Sequence, residues 1–374
     1  MIRRGFGRGI RLAAAVAAVA TVLVLAACGS SSSSTSSSAA ATPSSPAATS
    51  SAAAGTSSAA AAPASAKGGT IALSEPQGVS PQIQALLAGV KAEGAKLGMH
   101  VIATDANLDP SKQISDVEAF VQKKVKAIIV WPLDDQAIKP AIAQANQAHI
   151  PVIALYDLVP SSYYTDLIFD GTSVGLGSAH WFAQNIGPHA SVVAVQGPPQ
   201  VDQFRQIAQG FQTGVKQTGI NLLATQVDPK LSPTDTANIA SDWKTHYGSK
   251  VQGMFVPLGA MAAALSSVVD SSFKPKITTY GGTDTCLSLL KSKFLSVCYY
   301  ENIALLGRIA AWASSQALAG KAIPKQIHLA IPPVTQQTAA SFPSLQEQLA
   351  KPYTFKPVQK NGVWTMPVFG QSGA

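Results

Sequence analysis

The chain has 374 residues, a formal net charge of +8, 47% hydrophobic residues and only 12% charged ones. Its basic residues form no block and no stripe interleaved with aromatics, which argues against a nucleic-acid partner. It contains no H-E-x-x-H, no C-x-x-C, no pair of histidines at i, i+4 and no G-x-x-x-x-G-K-[ST], so neither a metal, nor another cofactor, nor nucleotide hydrolysis is expected.

Arg3, Arg4, Arg8 and Arg11 precede an apolar run from Leu12 to Ala27. At ~16 residues the run is too short for a stable transmembrane helix and reads as a signal peptide over residues 1–27. Leu25-Ala26-Ala27-Cys28 resembles the lipobox of bacterial lipoproteins. That resemblance implies a lipid (palmitate) on Cys28 and a protein held at the outer face of the cell membrane; an ordinary secretory signal cleaved nearby is the alternative. Arg3-Arg4-Gly5-Phe6-Gly7-Arg8 also resembles a twin-arginine export signal. Within residues 28–67, positions 29–66 are almost entirely Ser, Ala, Thr and Pro, with no charge and no large apolar side chain. They cannot bury enough apolar surface to offset ordering entropy and read as a linker.

From residue 68 onward, enough chain remains for two ordinary cores. Short β-branched runs alternate with amphipathic segments. Strands are predicted at 70–73, 99–103, 127–131 and 151–155, with helices over 81–97, from 110, and over 136–148. Ala127-Ile128-Ile129-Val130-Trp131 is apolar throughout, as expected where both sheet faces are covered. After the strand 166–169 the rhythm restarts. Helices are predicted at 173–186, 203–217, 234–247, 261–269, 286–291 and 302–318, and strands at 191–195, 220–225, 253–256, 276–280, 295–299 and 326–330. The fold class is α/β: two doubly wound, Rossmann-like lobes with parallel sheets, whose ligands bind beyond the carboxyl ends of the strands. Cys286 and Cys298 form an even pair in an oxidising compartment, so a disulfide between them is expected, two buried thiols being the alternative.

Several segments together carry a resemblance: Ala88 to Gly98, Ala127 to Pro132 with Asp134-Asp135-Gln136-Ala137, Ala145 to Ile153, Arg205 with Gly210-Phe211, Tyr280-Gly281-Gly282-Thr283 and Gly307. In order and spacing they resemble the ribose- and galactose-type sugar-binding proteins of bacterial ABC importers, the type I periplasmic binding family. The resemblance implies an N-terminal lobe of residues 68–170 plus 301–329 and a C-terminal lobe of 171–300 plus 330–374. A three-segment hinge would lie near Asp170, Tyr300 and Ala330. It also implies a monomeric clamp that closes on a small sugar-like ligand and presents it to permease and ATPase subunits.

The family's polar positions are partly replaced. Its Asp-Arg pair aligns with Tyr156 and Asp157, its Asn-Asp with Leu258 and Gly259, the Asp of its Gly-Phe-Asp-Gly turn with Gly281, and its hinge Gln with Glu301, while Arg205 is retained. A cleft less polar than a ribose site is expected. The ligand-binding candidates are Trp131, Tyr156, Asp157, Arg205, Glu301, Asp284 and Gln82. Trp131 is a stacking plate or a cap on the core. Arg205 forks to a ligand or pairs with an acid. Glu301 binds ligand or caps the following helix, and Asp284 is an N-cap or a contact. Asp170 reads as a hinge hydrogen-bonder, and Gln77 accompanies Gln82 on the first loop.

Two other readings are available. Gly171-Thr172-Ser173-Val174-Gly175 fits the G-x-S-x-G elbow of hydrolases with Ser173 as nucleophile. No oxyanion segment precedes it, and the resemblance makes this spot a hinge, so no catalytic residue is expected. The same clamp could instead serve a surface sensor.

Overall fold

The computed structural model describes residues 68–156 and 162–369. The signal peptide, Cys28, the linker and Asp157 lie outside them.

The first half contains β1 (Thr70–Glu75), α1 (Pro81–Lys96), β2 (His100–Asp105), α2 (Pro110–Gln122), β3 (Ala127–Val130), α3 (Lys139–Gln147), β4 (Val152–Leu155) and β5 (Thr165–Phe169). The second contains α4 (Gly171–Asn185), β6 (Ser191–Gln196), α5 (Asp202–Thr218), β7 (Asn221–Val227), α6 (Pro233–Tyr247), β8 (Gly253–Val256), α7 (Gly259–Ala264), β9 (Lys276–Gly281), α8 (Asp284–Lys291) and β10 (Val297–Tyr300). Then follow α9 (Ile303–Leu318), β11 (Gln326–Leu329), β12 (Pro333–Thr335), α10 (Leu345–Ala350), β13 (Val358–Lys360) and β14 (Val363–Met366). Local chemistry marks the helix starts. Asp109 accepts from the amides of Ser111 and Lys112 ahead of α2, and Ser232 accepts from Asp235 ahead of α6; a proline follows each cap.

The first sheet runs β13-β14-β11-β5-β4-β3-β1-β2 and the second β12-β10-β9-β8-β6-β7. The five strands that open each lobe pair in parallel and in the same relative order, second-first-third-fourth-fifth. The lobes are thus topological copies, with the strand order reversing at β1/β3 and at β6/β8. Strand alternation distributes each sheet between two helical layers. Ile128 and Val130 pack with Phe120 and Ile142 on one face, while Ile129 joins Leu86 and Leu306 on the other. α1 meets α9 backbone to backbone: a Cβ at Gly89 would collide with the Ala304 carbonyl, and one at Gly307 with the Leu86 carbonyl. Gly175 and Gly210 serve α4 and α5 in the same way.

The chain leaves the first sheet after β5 at Asp170, returns to it after β10 through Glu301–Asn302, α9 and β11, and enters the second sheet again at β12. Asp170 caps α4, its Oδ1 accepting from the Ser173 amide at 3.1 Å. The C-terminus corrects the expected boundary. Residues 330–374 are expected in the second lobe, but β14 pairs with β11 and β13 with β14, returning residues 358–366 to the first sheet. These strands are three and four residues long with exposed Val358, Val363 and Trp364, so no buried apolar run announces them.

Residues between β12 and β13 therefore cross the lobes a fourth time. Buried Arg308 on α9 anchors this segment: its Nε donates to Glu93 on α1 at 3.1 Å, and its Nη1 to the carbonyls of Gln348 and Lys351 at 2.8 and 2.9 Å. The Gln348 amide donates to the Tyr300 hydroxyl at 3.1 Å. One strap thus ties α9 to the end of the second sheet.

The disulfide expectation is also corrected. Cys286 and Cys298 are free and fully buried, and the Cys298 thiol points at the Gly281 carbonyl, 3.3 Å away. Burial pushes that thiol well above its ordinary pKa, and the adjacent Cys286 raises it further.

Candidate functional site

Between the lobes, at the carboxyl ends of β1, β3, β8 and β9, lies a cleft with about 460 Å³ of free space, part of it open to solvent. Its place at the strand-order reversal is where doubly wound sheets bind ligands.

Its floor is a hydrogen-bonded hub. Tyr280, the penultimate residue of β9, is fully buried; its hydroxyl donates to Glu301 Oε2 and accepts from the amides of Gln82 (3.2 Å) and Gln203. Gln82 Nε2 also donates to Glu301 Oε2. Four residues from α1, α5, β9 and the hinge therefore meet in one network. Burial holds the Tyr280 phenol protonated by raising its pKa. Burial likewise pushes the Glu301 carboxyl well above the ordinary carboxylate range, opposed by the Gln82 N–H. Gln203 Oε1 is buried with no partner among the described residues.

Trp131 forms part of the first-lobe wall. Gln113 on α2 holds its loop by donating to the Trp131 carbonyl and accepting from the Leu133 amide, both at 2.8 Å. Tyr156 backs the indole, with ring centroids 4.3 Å apart, and itself stacks on Phe169 at 5.1 Å. Its φ of 66° is strained for a non-glycine residue. The remaining walls are mostly apolar, with Leu108 and Leu133 from the first lobe and Val201, Phe204, Leu231 and Leu258 from the second; Gln77 and Ser80 of the first loop are the polar exceptions.

Of the candidates, Trp131 and Gln82 line the cleft, as does Gln77. Tyr156 stands behind Trp131. Glu301 lies beneath the floor, gripping Gln82 and Tyr280, and the N-cap position of α9 falls to Asn302. Arg205 is placed on the rim with its charge already taken: it bonds Asp202 one turn back, approaches Asp135 of the first lobe at 3.6 Å, and donates to the Pro199 carbonyl at 3.3 Å. Asp284 is exposed in the first turn of α8, and its Oδ1 accepts from the Leu345 amide at the start of α10 at 2.9 Å. Ser173 sits in the first turn of α4 with its hydroxyl donating to the Asp170 carbonyl at 2.8 Å, a helix-start contact rather than an elbow. Sequence reasoning passed over Gln203, Tyr280, Leu108 and Leu231. Only the replacement of the family's Asn by Leu258 signalled an apolar wall. Among the described residues no group of three or more His, Cys, Asp or Glu could hold a metal ion.

Two like-folded lobes around a cleft lined by uncharged side chains define a ligand-binding clamp. Residues 71–322 match the model of the periplasmic binding protein domain family, and the chain belongs to that family. It is 27% identical over 270 residues to the ribose import binding protein of Bacillus subtilis, an alignment covering 72% of this chain and 88% of the relative. The fold is shared with an ABC transporter solute-binding protein from Mycobacterium smegmatis with bound glycerol (TM-score 0.67, 19% identity, covering 74% of this chain and 96% of that one). It is also shared with a carbohydrate transporter solute-binding protein from Agrobacterium radiobacter in complex with D-arabinose (TM-score 0.65, 23% identity, covering 72% and 95%).

Proposed function

We propose that this protein is the monomeric, extracytoplasmic capture component of an ABC importer, tethered by a lipid on Cys28. It closes its two lobes on one small, neutral, sugar-like molecule and presents the closed shape to a permease. The observation that carries the reading is the hub: Gln82 from one lobe, Gln203 and Tyr280 from the other and Glu301 at the hinge converge on the floor of a cleft whose walls belong to both lobes. A guest touching both walls stabilises the closed form by its differential affinity for it. The rim ion pair between Arg205 and Asp135 acts in the same direction. Relatives with sugar and polyol ligands supply the ligand class, and the uncharged lining agrees with a neutral guest.

Small-angle scattering of the purified protein tests it. Titration with a bound ligand should reduce the radius of gyration, and a profile unchanged by a ligand that calorimetry detects would remove the clamp mechanism.

A further inference from the structure

Leu108 and Leu231 occupy equivalent loops of the two lobes. Leu108 follows β2 and precedes Asp109-Pro110 at the start of α2; Leu231 follows β7 and precedes Ser232-Pro233 at the start of α6. Both are in left-handed backbone conformation, with φ of 59° and 51°, and both line the cleft. Leucine is disfavoured there, whereas Asn or Gly adopts that region readily. A twice-repeated strained leucine, aimed from each lobe into one cavity, indicates that these positions supply apolar surface to a guest at a cost in local conformation.

Resting on the clamp reading above, we infer that the cleft selects a neutral ligand polar along one edge only: a deoxy, methylated or alkylthio sugar-like molecule rather than a fully hydroxylated pentose or polyol. The polar edge meets the floor. There the Tyr280 hydroxyl is committed on three sides, and the buried Gln203 Oε1 is left to accept from a ligand O–H or N–H. The other side of the ligand meets Leu108, Leu231, Leu258 and Phe204, with Trp131 beside them, and Gln77 and Ser80 of the first loop are the further polar side chains of the lining. None of the leucines, Phe204 or Trp131 accepts a hydrogen bond from a sugar hydroxyl. Each hydroxyl buried against them loses about tenfold in affinity, and a methyl or thioether in its place does not.

Calorimetric titration of the purified protein with 5-methylthioribose, D-ribose and xylitol tests the inference. The expected result is 5-methylthioribose binding at least tenfold more tightly than either fully hydroxylated probe. Leu231→Asn should keep or raise the melting temperature of the unliganded protein, because Asn relaxes the left-handed backbone, yet narrow the preference by about tenfold. Leu108→Asn, in the other lobe, should do the same. D-ribose or xylitol binding as tightly as 5-methylthioribose, or an unchanged preference in both variants, would overturn the inference while leaving the clamp intact. No binding of any of the three probes would overturn this assignment and the sugar-like ligand class together.

Discussion

Gln82 and Tyr280 stand 198 positions apart in the chain and meet at 3.2 Å, the amide of a first-lobe helix donating to a phenol one residue before the end of a second-lobe strand. Neither residue is polar by accident of exposure; both are buried. The bond places one hydrogen-bonded hub under the cleft and makes the floor a joint product of both lobes.

Tyr280→Phe keeps the ring and deletes the hydroxyl, leaving the Gln82 and Gln203 amides and Glu301 Oε2 each short of a buried partner. Unfolding in urea should show a loss of about 1–3 kcal/mol. The variant should also bind ligand more weakly, because the floor loses its fixed geometry. Stability equal to that of the wild type would mean that the hub contributes nothing to the fold.

Arg308 and Glu93 form an ion pair with side chains 2% and 9% exposed. Arg308→Met strips a buried carboxylate of its main cation and releases the Gln348 and Lys351 carbonyls, so a loss of about 3–5 kcal/mol is expected in chemical denaturation. Lys96, 3.3 Å from Glu93 but half exposed, compensates only weakly. Adding Glu93→Gln to Arg308→Met should recover part of the loss, since the uncompensated charge is then gone. A double variant no more stable than Arg308→Met would locate the damage in the strap instead.

Glu75 ends β1 in a buried position, with Oε1 lacking a partner. Burial, then the charge of Asp105, push its carboxyl from 4.5 up to about 7, against the pull of Lys91. The folded protein thus keeps a proton that the unfolded chain releases near pH 4.5. This contribution to stability is complete below that pH and declines as pH rises through about 7. Glu75→Gln removes the titration, so its melting temperature should gain on the wild type between about pH 5 and pH 8. A wild-type-to-variant difference that is constant across that range would refute the assignment.

Cys286 and Cys298 should resist iodoacetamide in the folded protein, because both are fully buried and the Cys298 thiolate is disfavoured. Denaturation without reductant should expose both to alkylation, read as adducts by peptide mass. Adducts that appear only after reduction would show a bridge.

Most elements were legible in the sequence because their causes are local. β3 is four consecutive buried apolar residues, and α2 and α6 carry cap and proline at their starts. The last turn of the predicted helix over 261–269 becomes a separate 3-10 turn, Leu265–Ser267, after α7. Trp131 follows a strand end and Gln82 lies at a first-helix start, positions that face the cleft in a doubly wound lobe, and both line it. Arg205 and Asp284 were named for the same reason, but neighbours claimed them: Asp202 three residues earlier and Asp135 from the opposite lobe for one, the Leu345 amide for the other.

What the sequence by itself determined is the rhythm: where strands and helices begin, which faces they bury, and that two such units follow one another. Those properties depend on side chains within a turn or two, where period and capping act. The tertiary structure alone decided that β13 and β14 return to the first sheet, that Tyr280 becomes the centre of a hub, and that Leu108 and Leu231 face a common cavity. Each of these requires segments distant in the chain to dock, and the energies of docking carry no local period from which they could be read.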